Sequence, residues 1–269
     1  MMPNKPIGVF DSGVGGLTVL AEIIRHLPEE NVVYFGDVGR TPYGPRSKDI
    51  IIQFTRQDIA FLMEQDVKFV VCACNTASSV ALDVVRQEYA VQMLGVIEPG
   101  ARASVEATRN GKIGIIGTQA TIASDAYPKA IRDLDRKVKV FSLACPLFVP
   151  LAEEGYQDRP AAALIAEDYL KILRENGIDT LVLGCTHYPL LKKIIQRGIG
   201  DNVTIIDSAM STAVELRDYL RRDGLENDSG TAPQYKYYVS DVPDRFAPVA
   251  ERFLGQRIGN IIRVDITRY

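Results

Sequence analysis

The sequence predicts an α/β protein built from two similar halves, each an open, mostly parallel sheet flanked by helices. Three observations carry this expectation. Short β-branched apolar runs alternate with longer segments of helical spacing, as in βαβ units. Two of those runs, Phe69-Val70-Val71 and Thr180-Leu181-Val182-Leu183, lead into a cysteine, polar residues and a helix start. A weak internal repeat relates the halves: Lys112-Ile113-Gly114-Ile115-Ile116-Gly117-Thr118 resembles the opening Ile7-Gly8-Val9-Phe10-Asp11-Ser12. Ile113 follows Ile7 by 106 residues and Cys185 follows Cys74 by 111.

In chain order, 7–10 reads as the first strand, apolar on both faces. Asp11-Ser12-Gly13-Val14-Gly15-Gly16 is a glycine-rich turn, and 17–27 a helix stopped by Pro28. The turn is no dinucleotide fingerprint, because Thr18 stands where the third glycine belongs, and no Gly-Lys-Ser/Thr follows. It suits a small anion. Asp11 either pairs with an ammonium or orients an acid–base group, or merely caps the turn. Residues 32–35 form the second strand. The loop 36–45 contains Thr41-Pro42-Tyr43-Gly44, where Gly44 lets a ligand approach the backbone closely. Ser47 caps a helix over 48–65, apolar at Ile51, Ile52, Phe54, Ile59 and Leu62.

After the strand at 69–71, the spacing of Val80, Leu82, Val84 and Val85 predicts one helix over 77–88, capped by Thr76 or Ser78. A strand at 94–97 is broken by Glu98-Pro99-Gly100, and 101–108 is helical. Thr118 and Thr121 occupy the loop that matches the glycine-rich turn. A strand at 138–143 leads to an irregular apolar segment, 145–154, ending in Glu153-Glu154. A helix at 161–176 is stopped by Gly177. Gly184-Cys185-Thr186-His187 follows the next strand, and Tyr188-Pro189 opens a helix through 195. Beyond 206 come a helix (211–222), a polar loop, a strand (234–240), a helix (244–254) and a strand (261–266), with no third cysteine unit. This tail is expected to complete the first half. The expected domains are therefore 1–97 with 208–269, carrying Cys74, and 98–207, carrying Cys185.

With 269 residues there is room for one large domain or two ordinary ones. A net charge of −3 without a basic, aromatic-rich segment argues against nucleic acid. No apolar run is long enough for a membrane helix, and the N-terminal residues lack a signal-peptide pattern, so a cytoplasmic location is expected. Four cysteines in such a chain read as reduced thiols.

Cys74 and Cys185 each sit at the carboxyl end of a strand with a helix start beyond, where open α/β sheets bind ligands. Helix ends supply free N–H groups and partial positive charge, which suit carboxylates and thiolates. Two such units point to a two-thiol site. Cys72 and Cys145 read as small buried hydrophobes, His26 as a surface residue at a helix end, and Glu154 as solvated. A zinc site built from Cys72, Cys74, Cys185 and His187 is the competing class. Paired zinc ligands usually lie two to four residues apart in turns, whereas Cys72 lies in an apolar strand, so no metal is expected.

Asp11-Ser12-Gly13-Val14-Gly15-Gly16, Ala73-Cys74-Asn75-Thr76-Ala77 and Gly184-Cys185-Thr186-His187-Tyr188-Pro189 resemble the signature segments of the cofactor-independent glutamate racemases, in the aspartate/glutamate racemase superfamily. The similarity runs over nearly the whole chain. It implies two pseudo-symmetric α/β domains with the active site between them, no cofactor, L- or D-glutamate as substrate, and D-glutamate supplied for peptidoglycan synthesis and thereby for cell-wall biogenesis and cell shape. A homodimer is implied as well. By resemblance Cys74 takes the proton from the D-enantiomer and Cys185 from the L-enantiomer. Asp11 assists on the Cys74 side, and Glu153 and His187 on the Cys185 side. Asn75, Thr76 and Thr186 bind the α-carboxylate and ammonium; Ser12 and the Tyr43-Gly44 backbone hold the distal carboxylate; Thr118 and Thr121 line the site. A racemase for aspartate or another acidic amino acid is the alternative, and His187 after Cys185-Thr186 resembles the glutamate branch.

The chemistry fits those residue types. Racemisation removes an α-proton from one face and returns one to the other, which calls for two opposed acid–base groups. A free thiol titrates near ~8.5, so some stabilisation of the thiolate by the helix ends and His187 is expected. No lysine lies in a motif for a pyridoxal Schiff base, so N–H groups around the α-carboxylate must stabilise the carbanion.

Overall fold

The structure, a computed structural model, describes residues 3–269. Its elements run β1 (Ile7–Asp11), α1 (Leu17–His26), β2 (Val32–Gly36), α2 (Lys48–Glu64), β3 (Phe69–Cys72), α3 (Asn75–Val80), α4 (Leu82–Val85), β4 (Gln92–Gly95) and α5 (Ile97–Ala107). The second half follows with β5 (Lys112–Gly117), α6 (Gln119–Ala123), α7 (Ala126–Leu134), β6 (Lys139–Ala144), α8 (Phe148–Glu153), α9 (Pro160–Glu175), β7 (Thr180–Gly184), a 3-10 turn (Tyr188–Leu191), α10 (Lys192–Ile199) and β8 (Thr204–Asp207). The chain closes with α11 (Ser208–Arg222), β9 (Tyr235–Val239), α12 (Pro243–Leu254), β10 (Ile261–Arg263) and a 3-10 turn (Ile266–Arg268).

Two parallel sheets result. One has the order β10-β9-β2-β1-β3-β4 and the other β6-β5-β7-β8. The stretches β2-β1-β3-β4 and β6-β5-β7-β8 repeat one topology. In each, the chain steps to one side of its first strand and then crosses to the other. The crevice between the first and third strands is thus a topological switch point, where open sheets take their ligands. The strand residues of β1, β2, β3 and β7 are buried throughout, which is why they read as continuous apolar runs.

The pleat divides each strand's side chains between layers. Ile7, Val9, Phe69 and Val71 join a core that continues through Ile113, Ile115 and Leu181 of the second sheet. Phe10, Val70 and Cys72 face α2 and a separate apolar layer. Cys72 therefore serves as a small core residue. Tail strands β9 and β10 extend the first sheet beyond β2. A buried ion pair secures this return: Lys68 Nζ donates to Glu30 Oε2 at 2.5 Å, to Leu225 O at 2.7 Å and to Pro3 O, while Glu30 Oε1 accepts from Asn227 N at 2.8 Å. Removing one partner strands a buried charge. Lys68→Met is expected to cost about 3–5 kcal/mol in urea unfolding.

Several expected boundaries differ. The helix expected over 77–88 is two short ones, broken at Ala81, whose φ of −115° leaves the helical range. Glu98-Pro99-Gly100 does not end an element but starts α5, since proline in a first turn loses no intrahelical hydrogen bond. The segment 145–154 holds the short helix α8. The helix expected after Tyr188 begins as a 3-10 turn and becomes α-helical at Lys192. Among the described residues no helix is long and apolar enough to cross a membrane.

Candidate active site

Cys74 and Asp11 emerge at adjacent strand ends in the first switch point. Cys74 itself, rather than Thr76 or Ser78, is the cap of α3: its Sγ accepts the Ala77 N–H at 3.4 Å. The same sulfur lies 3.4 Å from Ser12 Oγ. Asp11 is fully buried, and its Oδ2 accepts the Gly13 N–H at 2.9 Å. Its other oxygen, Oδ1, accepts the hydroxyl of Thr186, from the opposite half, at 3.4 Å. Thr186 is tied again through its carbonyl, which accepts from Thr18 Oγ1 at 3.1 Å. One carboxylate thus neighbours Cys74 and touches the residue next to Cys185.

On the second side, Cys185 Sγ lies 3.8 Å from His187 Nδ1, and His187 Nε2 lies 2.8 Å from Glu153 Oε1. Glu153 rather than Glu154 makes this bond. Thr76, Thr118 and Thr121 form a triangle across the halves, with Oγ1 separations of 3.0, 3.4 and 3.0 Å. Gly44 abuts this triangle: its carbonyl accepts the Ala120 N–H at 3.2 Å, and a Cβ there would sit 3.0 Å from Thr118. The Tyr43 hydroxyl lies between two carboxyl groups, donating to Asp37 with Asp58 Oδ2 2.9 Å away.

The four donors of the zinc reading do not gather. Cys72 Sγ donates to the Cys74 carbonyl at 3.6 Å, and among the described residues no three His, Cys, Asp or Glu side chains are grouped to hold a metal ion. The sulfur-bearing residues of the two motifs are nearly closed off, with Cys74 4% and Cys185 5% exposed. A cleft of 320 Å³ lined by Val14, Thr41, Glu153 and Phe246 opens at Glu153.

Residues 20–216 match the family model described as Asp/Glu/Hydantoin racemase. The chain belongs to this family. The racemase is 50% identical over 265 residues to the glutamate racemase of Geobacter metallireducens, covering 98% of each chain. Its fold matches the crystal structure of a glutamate racemase isoform from Bacillus anthracis, with a TM-score of 0.94, 42% identity and 98% of each chain covered. A glutamate racemase from Francisella tularensis, solved in complex with D-glutamate, matches with a TM-score of 0.94 and 38% identity over 100% of both chains. Such coverage makes the chain an enzyme of the isomerase class.

Burial and charge shift three of the groups at this site. Burial, joined by the Asp11 charge, pushes the Cys74 thiol up to about 12, against the expectation that a helix end lowers it. Asp11 is itself raised by burial, which outweighs the opposing His187 charge and its N–H partners. At His187 burial works against the cation, but the contacts with Cys185 and Glu153 prevail and raise it to about 10. A raised folded-state value gives stability that is complete below ~6.5 and lost as pH climbs through about 10. Imidazole 15N NMR at pH ~8 is therefore expected to show His187 still cationic, and Glu153→Gln to lower its midpoint.

Three contacts escaped the sequence reading. The Phe253 ring packs edge-on to His187, with centroids 5.3 Å apart, and Arg252 Nη1 donates to the Glu153 carbonyl at 2.9 Å. Both lie on α12, whose apolar spacing signals a helix but not its destination. Tyr127 Oη donates to Asn75 Oδ1 at 2.8 Å.

Proposed function

We propose that this racemase interconverts L- and D-glutamate by two-base proton transfer between Cys74 and Cys185, without a cofactor. The observation that carries the reading is the position of Asp11, a charged neighbour of Cys74 and a hydrogen-bond partner of Thr186, beside Cys185. Two acid–base groups at the ends of facing sheets can then address opposite faces of one α-carbon.

The Cys74 side sets out one direction of the reaction. Cys74, raised to about 12, holds its proton and is ready to donate. On the other side the His187 cation, backed by Glu153, lies 3.8 Å from Cys185 and offsets negative charge as the α-proton is moved there. This is the arrangement for L-glutamate, in which Cys185 removes the α-proton and Cys74 delivers one to the other face. In reverse, Asp11 is placed to draw the proton from Cys74. Backbone N–H groups at the start of α3 and after β7, with Asn75, Thr76 and Thr186, bind the α-carboxylate and ammonium and spread the developing charge. Ser12 and the Tyr43-Gly44 backbone take the distal carboxylate. Since both cysteines are nearly closed off, entry requires the halves to part at the Thr76–Thr118 and Asp11–Thr186 bonds.

The domains in this reading are 1–97 with 208–269, and 98–207; the membership of β9 and β10 in the first sheet supports that division. By resemblance the enzyme is a cytoplasmic homodimer whose D-glutamate feeds peptidoglycan synthesis. The glutamate racemases of Geobacter and Francisella support glutamate over aspartate. Polarimetry with each pure enantiomer tests the choice. Loss of rotation with glutamate is expected; turnover of aspartate alone overturns it.

A further inference from the structure

Asn75 is 2% exposed, and its Nδ2 is a buried donor with no partner. Such an atom costs free energy unless a ligand meets it. Its Oδ1 is engaged: Tyr127, on α7 of the opposite half, donates its hydroxyl to it at 2.8 Å. In this arrangement the amide NH2 is the free end; the same phenol hydroxyl also has the Val96 carbonyl within 3.4 Å.

Two glycines border the Tyr127 ring. A Cβ on Gly100 would sit 3.1 Å from the ring's Cε1, and one on Gly184 would sit 3.2 Å from its Cε2. Gly100 lies inside α5, where glycine is disfavoured relative to alanine, so its presence answers to the ring rather than to the helix. Gly184 immediately precedes Cys185. Tyr127 is 1% exposed and therefore touches both cysteine motifs: its ring lies against the residue before Cys185, and its hydroxyl holds the residue after Cys74.

We propose that Tyr127 is a positioning residue for the racemase reaction: it holds the Asn75 amide with its NH2 free for the substrate's carboxylate and keeps it in register with the strand end that carries Cys185. The inference rests on the two-cysteine reading. It concerns binding geometry, so removal of the hydroxyl affects KM more than kcat.

The test is steady-state kinetics on Tyr127→Phe, Asn75→Ala and the double variant, run in both directions with whichever acidic amino acid the wild type turns over. Tyr127→Phe is expected to raise KM about tenfold with kcat within about threefold, the size expected when one hydrogen bond is lost. The double variant is expected to be no worse than Asn75→Ala alone, because both changes disable one donor. An unchanged KM in Tyr127→Phe, or losses that multiply in the double variant, overturns the proposal. Gly100→Ala, which presses on the ring from the helix side, serves if Tyr127→Phe does not fold: a raised KM supports the proposal and an unchanged one overturns it. A wild type inert to glutamate but active on another acidic amino acid refutes the substrate reading, and the Tyr127 comparison proceeds on that amino acid.

Discussion

Cys74→Ala and Cys185→Ala are each expected to lower racemisation in both directions by about 10²–10⁴-fold, the span of a positioned acid or base. Neither loss should be rescued by the remaining cysteine, since a single sulfur reaches one face of the α-carbon. Stability should change little by comparison. Each side chain is small, and Cys74 contributes only a weak sulfur cap to α3. Coupled assays for D-glutamate formation and for L-glutamate formation, with unfolding curves for each variant, check both halves of this expectation. Cys72→Ala is the control. Its sulfur lies in the apolar layer beneath α2 and meets Cys74 at the backbone carbonyl, away from the Cys74 sulfur, so activity should persist.

Gly15→Ala is expected to be nearly as damaging although it removes nothing. A Cβ at this position would lie 2.6 Å from His187 Nδ1 and 2.7 Å from Cε1, and would overlap Thr186 Oγ1. Neither neighbour has room to yield. His187 is held between Glu153 and the Phe253 ring, and Thr186 is tied to Asp11 and Thr18. Displacing an acid–base group by an ångström costs on the order of 10²-fold in rate, whereas overpacking costs about 1–3 kcal/mol of stability. The activity loss should therefore exceed what the shift in unfolding midpoint accounts for. Gly259→Ala, where a Cβ would meet nothing within 4 Å, should match the wild type in both measurements.

The strand ends that carry Cys74 and Cys185 were legible because each apolar run stops just before its cysteine. Phe69-Val70-Val71 and Thr180-Leu181-Val182-Leu183 are fully buried strands, and the switch-point geometry brings Asp11 to Cys74 and Thr118 to Thr76. The return of the tail was legible from the missing third cysteine unit. What stayed hidden depends on partners distant in the chain. Tyr127, Ala130, Ile131 and Leu134 have helical spacing and could have announced α7, but that spacing does not name a partner, so Tyr127 was invisible as a partner of Asn75. The split between α3 and α4 follows from backbone geometry at Ala81, a residue with every propensity for helix. The raised Cys74 thiol reverses the helix-end expectation, because burial and a carboxylate on a different strand outweigh a few N–H groups. Glu153 and Glu154 are adjacent acids, and only the fold of α8 decides which one meets His187.

The most direct test of two opposed sulfurs is isotopic. L-glutamate is incubated with the wild-type enzyme in deuterated water, and both enantiomers are recovered at low conversion for mass spectrometry. The D-glutamate formed should carry one solvent deuterium at the α-carbon, while the remaining L-glutamate keeps its protium. D-glutamate that retains the original proton would mean that one base serves both faces, and the roles assigned to Cys74 and Cys185 would be contradicted.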